Sequence, residues 1–386
     1  MFIEHHSVVN GQGVILGTNP VAGEWYPAKE APRPAVYHKY AKQDVFETLY
    51  PDLLPDEEEE PIEANSIEAL QELLTSEEPK VSIKVTAPIQ DTQNIIIPEG
   101  KEVTLILDAD ITAGLKSEDR HHYAIDNYGT LTLKGNGATI SARGVENFGT
   151  MIVEDGVTIE SIDVIGGAAI WNEGDLIING GTFKSTQPGS VSNIAGAGCL
   201  NNRGTCTINK GTFQGASLRT YAVISSGEMT IMDADVKGAH GGLSVDSGTC
   251  VVNAGTFEST EYYGLYVSND AKGGDPEDAD VIINGGTFTG KVLSVWVGSD
   301  VNSPVNSVIE INGGTFTGPL RVQKNVSEGA GIVKVPEGFT IVENEDGSKT
   351  INPPVPTSAS RKAKKALTNP VITEEDLSMP AIAVEK

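Results

Sequence analysis

The stretch VIINGGTFTG, Val281 to Gly290, sets the reading of the whole chain, because its first eight residues recur along the chain. LIINGGTF ends at Phe183, CTINKGTF at Phe213, CVVNAGTF at Phe257 and IEINGGTF at Phe316, with a degenerate copy, MTIMDADV, ending at Val236. Between the residues that end these copies the spacings are 30, 23, 21, 31 and 28 residues. LTLKGNGATI, ending at Ile140, and MIVEDGVTI, ending at Ile159, are earlier members of the series.

The columns of this alignment behave like a strand. Leu176, Cys206, Met229, Cys250, Val281 and Ile309 stand seven residues before the aromatic position, and Ile178, Ile208, Ile231, Val252, Ile283 and Ile311 stand five before it. A separation of two puts both columns on one face of a pleated strand. Asn179, Asn209, Asn253, Asn284 and Asn312 fill the next column, with Met232 as its exception. Glycine precedes threonine in each full copy, where a sharp corner calls for positive φ.

Upstream, Asn127, Asn147, Asn172 and Asn202 each lie two residues before a glycine, and Ser225 and Asp246 are assigned the same place before Gly227 and Gly248. One rung therefore reads as strand, Asn-x-Gly corner, strand, Asn/Gly corner, short strand and return loop. A rung of 20 to 30 residues cannot bury its apolar face alone, whereas stacked rungs bury one another. The expected fold is all-β: a single-stranded, right-handed parallel β-helix over residues 81–335. Like residues should lie over like, with the asparagines forming a hydrogen-bonded structural ladder. A propeller blade would need four strands and about 40 residues, so it is set aside.

The flanks differ from the repeat. Residues 1–62 hold seven prolines and end in the acidic run Asp56 to Glu60, a composition that cannot bury a core of its own. Its aromatics, Trp25, Tyr26, Tyr37, Tyr40, Phe46 and Tyr50, suit an extended arm that anchors on another surface. Residues 63–80 are expected to hold a short capping helix, over 65–75, with Asn65 and Glu68 as a capping box and Ile67, Leu70, Leu73 and Leu74 on the apolar face. Residues 336–386, with Pro353, Pro354, Pro356 and the basic group Arg361, Lys362, Lys364 and Lys365, read as linker and tail.

The formal charge of −26 argues against a nucleic-acid partner. No apolar run reaches the ~18 residues needed to span a bilayer, so no membrane partner is expected, and the start of the chain lacks the pattern of an export signal. Three cysteines, Cys199, Cys206 and Cys250, are too few for a disulfide framework. Cys206 and Cys250 share a core column and should be inert.

The phrases NIIIPEGKEVTLILDADITAG (94–114), AIDNYGTLTLKGNGATI (124–140) and VIINGGTFTG resemble the β-helix repeats of bacterial surface proteins and the shafts of phage virion proteins such as tailspikes and head fibres. That resemblance, with the missing export signal, implies a phage structural protein of the capsid-decoration or head-fibre type. It would be assembled in the host cytoplasm into the virion, with the major capsid protein as partner, host-surface glycans as ligands and a homotrimer as its assembly. The alternatives are a polysaccharide-degrading tailspike-like enzyme and a bacterial surface adhesin. GAHGGLSVDSG, Gly238 to Gly248, is similar to the Gly-His-Gly element of polygalacturonases, but His240 has no Asn-Thr-Asp or Asp-Asp partner motif upstream, and glycosidic cleavage needs two placed carboxylates. The segment also fits the ordinary repeat.

No catalytic residue is assigned. Asp108 and Asp110, Glu154 and Asp155, and Asp233 and Asp235 read as solvated faces, and His5, His6, His121 and His122 as loop residues without zinc-ligand spacing. Neither a metal nor a cofactor is expected. Tyr262, Tyr263, Tyr266 and Trp296, beside the insertions 270–278 and 298–307, are the candidate contacts for a glycan or partner.

Overall fold

A computed structural model of the chain describes residues 60–116, 121–162, 166–186, 198–267, 278–297, 307–322, 332–335, 337–345 and 348–352, together with four short strands before residue 60. The chain divides into two units, Met1–Glu60 and Pro61–Lys386. In the first unit, Ser7–Val9 pairs antiparallel with Gln12–Val14, and Trp25–Pro27 pairs antiparallel with Tyr37–Lys39. Trp25, Tyr26 and Tyr37 thus stand on paired strands, whereas Tyr40, Phe46 and Tyr50 lie outside the described residues.

Among the described residues the second unit is all-β apart from one helix, with three long sheets that draw strands in strict rotation. A single rung shows the pattern: Gly198–Asn202 belongs to the first sheet, Thr205–Ile208 to the second and Thr212–Gly215 to the third. The first sheet has ten strands and the second twelve, each strand parallel to its neighbours. The third has twelve, parallel except at its last two. This arrangement is consistent with a β-solenoid.

Register follows the columns read from the sequence. Phe183 pairs with Phe213, then Val236, Phe257, Phe288 and Phe316 follow in turn. Their rings stack where two meet, with centroids 4.8 Å apart for Phe183–Phe213, 4.9 Å for Phe257–Phe288 and 5.3 Å for Phe288–Phe316. Such aromatic pairs contribute ~0.5–1.5 kcal/mol each beyond their burial. In the second sheet, Leu176, Cys206, Met229, Cys250, Val281 and Ile309 lie directly over one another. All three cysteines are buried, and loss of solvation pushes the Cys199 and Cys250 thiols up to about 12, so they carry no reactive thiolate at neutral pH.

Two sets of asparagines occupy the corners. In the set fully removed from solvent, Asn127 Nδ2 donates to Asn147 Oδ1 at 2.6 Å, Asn147 to Asn172 at 2.6 Å, Asn172 to Asn202 at 2.7 Å and Asn202 to Ser225 Oγ at 3.1 Å. The other set is accessible to solvent and runs in two pieces. Asn209 donates to Asn179 at 2.8 Å; beyond Met232, Asn284 donates to Asn253 at 3.0 Å and Asn312 to Asn284 at 3.1 Å. Asn253 Nδ2 sits 3.3 Å from the Met232 sulfur, a weak acceptor, so the break follows from the missing amide there.

The two glycine columns serve different ends. Gly181, Gly255, Gly286 and Gly314, before the threonine, have φ of +98°, +118°, +100° and +110°, while Gly211 is the exception. Gly149, Gly174 and Gly204, in the Asn-x-Gly corners, are needed for space: a Cβ on each would lie 2.1 Å from the carbonyl oxygen of the glycine one rung before.

Four expectations need correction. Helix α1 (Ile67–Leu74) is capped by Ser66, whose Oγ accepts from the Ala69 amide at 3.2 Å, rather than by Asn65. The third helical residue is then Ala69, so Glu68 completes no capping box. A strand, Ile62–Ala64, precedes α1 and pairs parallel with Lys80–Val85, so the second sheet begins before residue 81. The position over Ser225 is Val245, not Asp246. The later corner holds two residues between Val245 and Gly248 where the earlier one holds only Ser226, so counting back from the glycine misplaces the column by one. Finally, the segment after residue 335 is not all linker: Thr340–Glu343 and Lys349–Asn352 form a hairpin that pairs antiparallel with Gly314–Thr317 and buries Ile351. Residues 353–386 lie outside the described residues.

The stack is covered at its start and, in the third sheet, at its end. Ile67, Leu70 and Leu74 of α1 are buried at the first rungs, and Lys101 ties the helix end down, its Nζ donating to the Ser76 carbonyl at 2.8 Å. The hairpin covers the last strand of the third sheet.

Candidate functional site

The outward side chains of the first sheet form one column along the stack: Ile96, Asp126, Glu146, Trp171, Asn201, Ile224, Ser244, Tyr266 and Trp296. Two residues before the core positions Val223, Leu243, Leu265 and Val295, a second column reads Tyr221, Gly241, Tyr263 and Leu293. These two columns bring the predicted aromatics together. Tyr263 and Trp296 rings lie 5.1 Å apart, Tyr263 and Tyr266 6.0 Å, and Tyr262 and Tyr263 5.9 Å. The insertions expected beside them fall almost entirely outside the described residues.

The cluster is larger than its four predicted members. Tyr221 stacks on Tyr266 at 5.5 Å and 7°, although two rungs separate them. Gly241 explains the reach. A Cβ there would fall 2.1 Å from Tyr221 Cδ1, so the absent side chain leaves the slot that the ring fills. Ser244, in the rung that the stacked rings bridge, is buried and donates to Asp246 Oδ1 at 2.6 Å. His240 fills the remaining gap, 5.1 Å from Tyr221 in an edge contact and 4.7 Å from Tyr262.

His240 is held on both sides of its backbone and ring. Its Nδ1 lies 3.0 Å from the Leu218 carbonyl, and its own carbonyl accepts from Ser259 Oγ at 2.7 Å. The same Ser259 oxygen accepts from the Tyr262 amide at 2.9 Å, which fixes the turn that presents Tyr262. Burial pushes the imidazole below its ordinary range, the Leu218 carbonyl opposes this, and Arg219 adds to the depression. The ring is therefore neutral at pH 7 and acts as an aromatic member of the surface. Tyr262 is 42% exposed, and the other rings are half-buried. Six rings thus form a continuous surface of apolar faces with polar edges, which suits a ligand presenting both.

The remaining acids are engaged in holding rungs together. Asp108 accepts from Lys84 at 2.7 Å and from Asn136 at 2.5 Å, and these bonds hold its carboxyl below the usual range. Asp110 accepts from the Thr139 amide at 2.8 Å, and Glu154 from Asn179 at 3.1 Å. His121 Nδ1 accepts from the Lys116 amide at 3.0 Å. Among the described residues no three His, Cys, Asp or Glu side chains group so as to hold a metal ion, and no helix is long and apolar enough to cross a membrane. Asp233, Asp235 and His122 join no such group. His5 and His6 lie outside the described residues.

At the foot of the outward column, Asp126 and Glu146 face each other from adjacent rungs. Burial raises both carboxyl pKa values; Asn94 opposes it at Asp126, while at Glu146 the Asp126 charge adds to it and Arg143 opposes it. A raised carboxyl pKa means that the folded chain holds a proton at a pH where the unfolded chain has released it. Stability then rises as pH falls through the raised value, and the gain is complete below the ordinary carboxylate range. Glu146→Gln is accordingly expected to stabilise the fold at pH 7, by no more than about 1 kcal/mol because the group is half-exposed. The difference from the parent chain should vanish near pH 3, as read from urea unfolding at several pH values.

Comparison with protein-family models, with curated proteins and with solved structures yields no match.

Proposed function

We propose that the strands close into one right-handed, single-stranded parallel β-helix, and that the chain is a structural protein of a phage virion, of the capsid-decoration or head-fibre type. The observation that carries this reading is the contrast between the two units. In Pro61–Lys386 two sets of asparagines join one rung to the next, α1 covers the first rungs, and the hairpin covers the last strand of the third sheet. The aromatic-dotted Met1–Glu60 is a separate unit that can serve as an anchoring arm on the major capsid protein. Right-handedness is the hand that parallel crossovers adopt in most sheets. The resemblance of the repeats to phage shafts supports the class, and the six-ring surface supports a role in contacting host-surface glycans. Assembly in the host cytoplasm and a homotrimer complete the reading.

Removal of residues 1–60 tests it. The truncated chain should keep its β-sheet circular dichroism but disappear from particles purified out of a lysate, while the full chain co-purifies with them at constant stoichiometry. Recovery of the full chain on the walls of uninfected cells, and not in particles, would favour an adhesin instead.

A further inference from the structure

We infer that the glycan contact is an extended track along the outward face of the first sheet, with Trp171 as a second platform, and that it takes a linear, uncharged polysaccharide. The inference rests on the glycan-contact part of the proposed function. Trp171 stands in the same outward column as Tyr266 and Trp296, reached through Asn201, Ile224 and Ser244 in strict register. Five rung steps separate Trp171 from Trp296, on the order of 24 Å at ~4.8 Å per step. The Tyr221–Tyr266 stack covers the Ser244 rung, so only Asn201 and Ile224, both half-buried, separate the two aromatic surfaces.

Trp171 is oriented as a fixed platform. Its Nε1 donates to Glu173 Oε1 at 3.0 Å, and the Arg203 guanidinium lies over the ring, 4.4 Å from its centroid. Arg203 is in turn 3.8 Å from the same carboxylate oxygen, so three side chains lock one another. Beside them opens a cleft of about 480 Å³, lined in part by Thr150, Glu173, Asp175, Arg203 and Thr205, which has room for a substituent on the chain.

Charge selects the class of ligand. Below Trp171 the column continues into Glu146 and Asp126, and the cleft adds Glu173, Asp175 and Glu228 against the single Arg203. With a formal charge of −26 on the chain, a polyanion is repelled at every approach. A straight pyranose chain advances by about one residue per rung. It presents apolar ring faces to Trp171 and Trp296 and hydroxyls to Asn201 and to the ring edges between them. A compact or branched ligand would use one platform only.

The test is binding of length-graded cello-oligosaccharides and chito-oligosaccharides, two to eight residues long, to the full chain by calorimetry. Affinity should climb with length and level off at about five or six residues, the span of the track. Trp296→Ala should weaken every length. Trp171→Ala should leave the di- and trisaccharides unchanged and lower hexasaccharide affinity by about tenfold, removing the gain from lengthening. Trp171→Phe, which keeps a ring and guards against a folding defect, should retain most of that gain. Equal loss at all lengths for Trp171→Ala, or no loss at any, overturns the track. So does preferential binding of alginate fragments, which are polyanionic. Failure of every neutral oligosaccharide to bind also overturns it, and it leaves the virion assignment to be decided by the particle experiment above.

Discussion

Asn172→Val is expected to lower the free energy of unfolding by about 3 kcal/mol, and Asn127→Val by only about 1 kcal/mol, although both residues are fully buried in the same column. Volume does not separate them, because aliphatic residues occupy both ends of the column: Ile97 pairs with Asn127, and Val245 with Ser225. Position in the hydrogen-bond chain does. The Asn127 Oδ1 is already buried without a partner, since Ile97 offers no donor. Valine at 127 removes that orphan and creates one at Asn147, so the ladder shortens by one step. At 172 the substitution cuts the ladder in the middle. Asn147 loses the shortest of its three acceptor contacts, and Asn202 Oδ1 loses the donor 2.7 Å away, adding an unsatisfied buried oxygen to the one at the foot. Asn209→Val, in the solvent-accessible set, should cost under about 1 kcal/mol, because water replaces the bond to Asn179. Chemical unfolding of the three variants gives the order; equal losses at 127 and 172 would show that the ladder is not a connected unit.

These differences mark where the sequence is legible and where it is not. A column of Phe183, Phe213 and Phe257 can be read because identical side chains recur at one place in each rung, and parallel pairing puts them in contact. The exchange of roles between the two asparagine sets cannot be read the same way. Asn179 and Asn172 look alike in an alignment, yet one faces solvent and the other is buried, depending on which way the corner turns. A corner one residue longer, as between Val245 and Gly248, moves a side chain out of its column without disturbing the repeat. The ends escape periodicity altogether: Ile62–Ala64 and the hairpin at 340–352 pair with the stack but repeat nothing. Of the aromatic surface, Tyr262, Tyr263, Tyr266 and Trp296 were visible as a local cluster, whereas Tyr221 joins it across a rung. The signal for that lay in Gly241, the residue without a side chain between two tyrosines of one column.

Gly204→Ala should be among the most damaging single-methyl changes, costing upward of about 4 kcal/mol, with the protein recovered unfolded or insoluble. The new Cβ would lie 2.1 Å from the Gly174 carbonyl oxygen and 2.8 Å from the Glu173 carbonyl carbon, all backbone atoms that no rotamer change can clear. That oxygen is also pinned, since it accepts from the Thr205 amide at 3.0 Å. Relief requires the rungs to separate at the corner, which pulls on Asn172, whose Nδ2 donates to the Gly174 and Thr205 carbonyls, each at 3.0 Å. The neighbouring rungs have the same approach at Gly149 and Gly174, so the displacement cannot be absorbed one step away. Gly100→Ala is the control: its φ is +76°, but nothing lies within 4 Å of the added carbon. Only conformational strain of about 1 kcal/mol is then expected, and a folded protein with a slightly lower melting temperature. Thermal unfolding followed by circular dichroism separates the two cases. A folded, stable Gly204→Ala chain would mean that the rungs at this corner are not held at the distance that the asparagine and the glycine together impose. The Asn-x-Gly corner works as one device, because the amide draws successive rungs together and the bare Cα lets them approach.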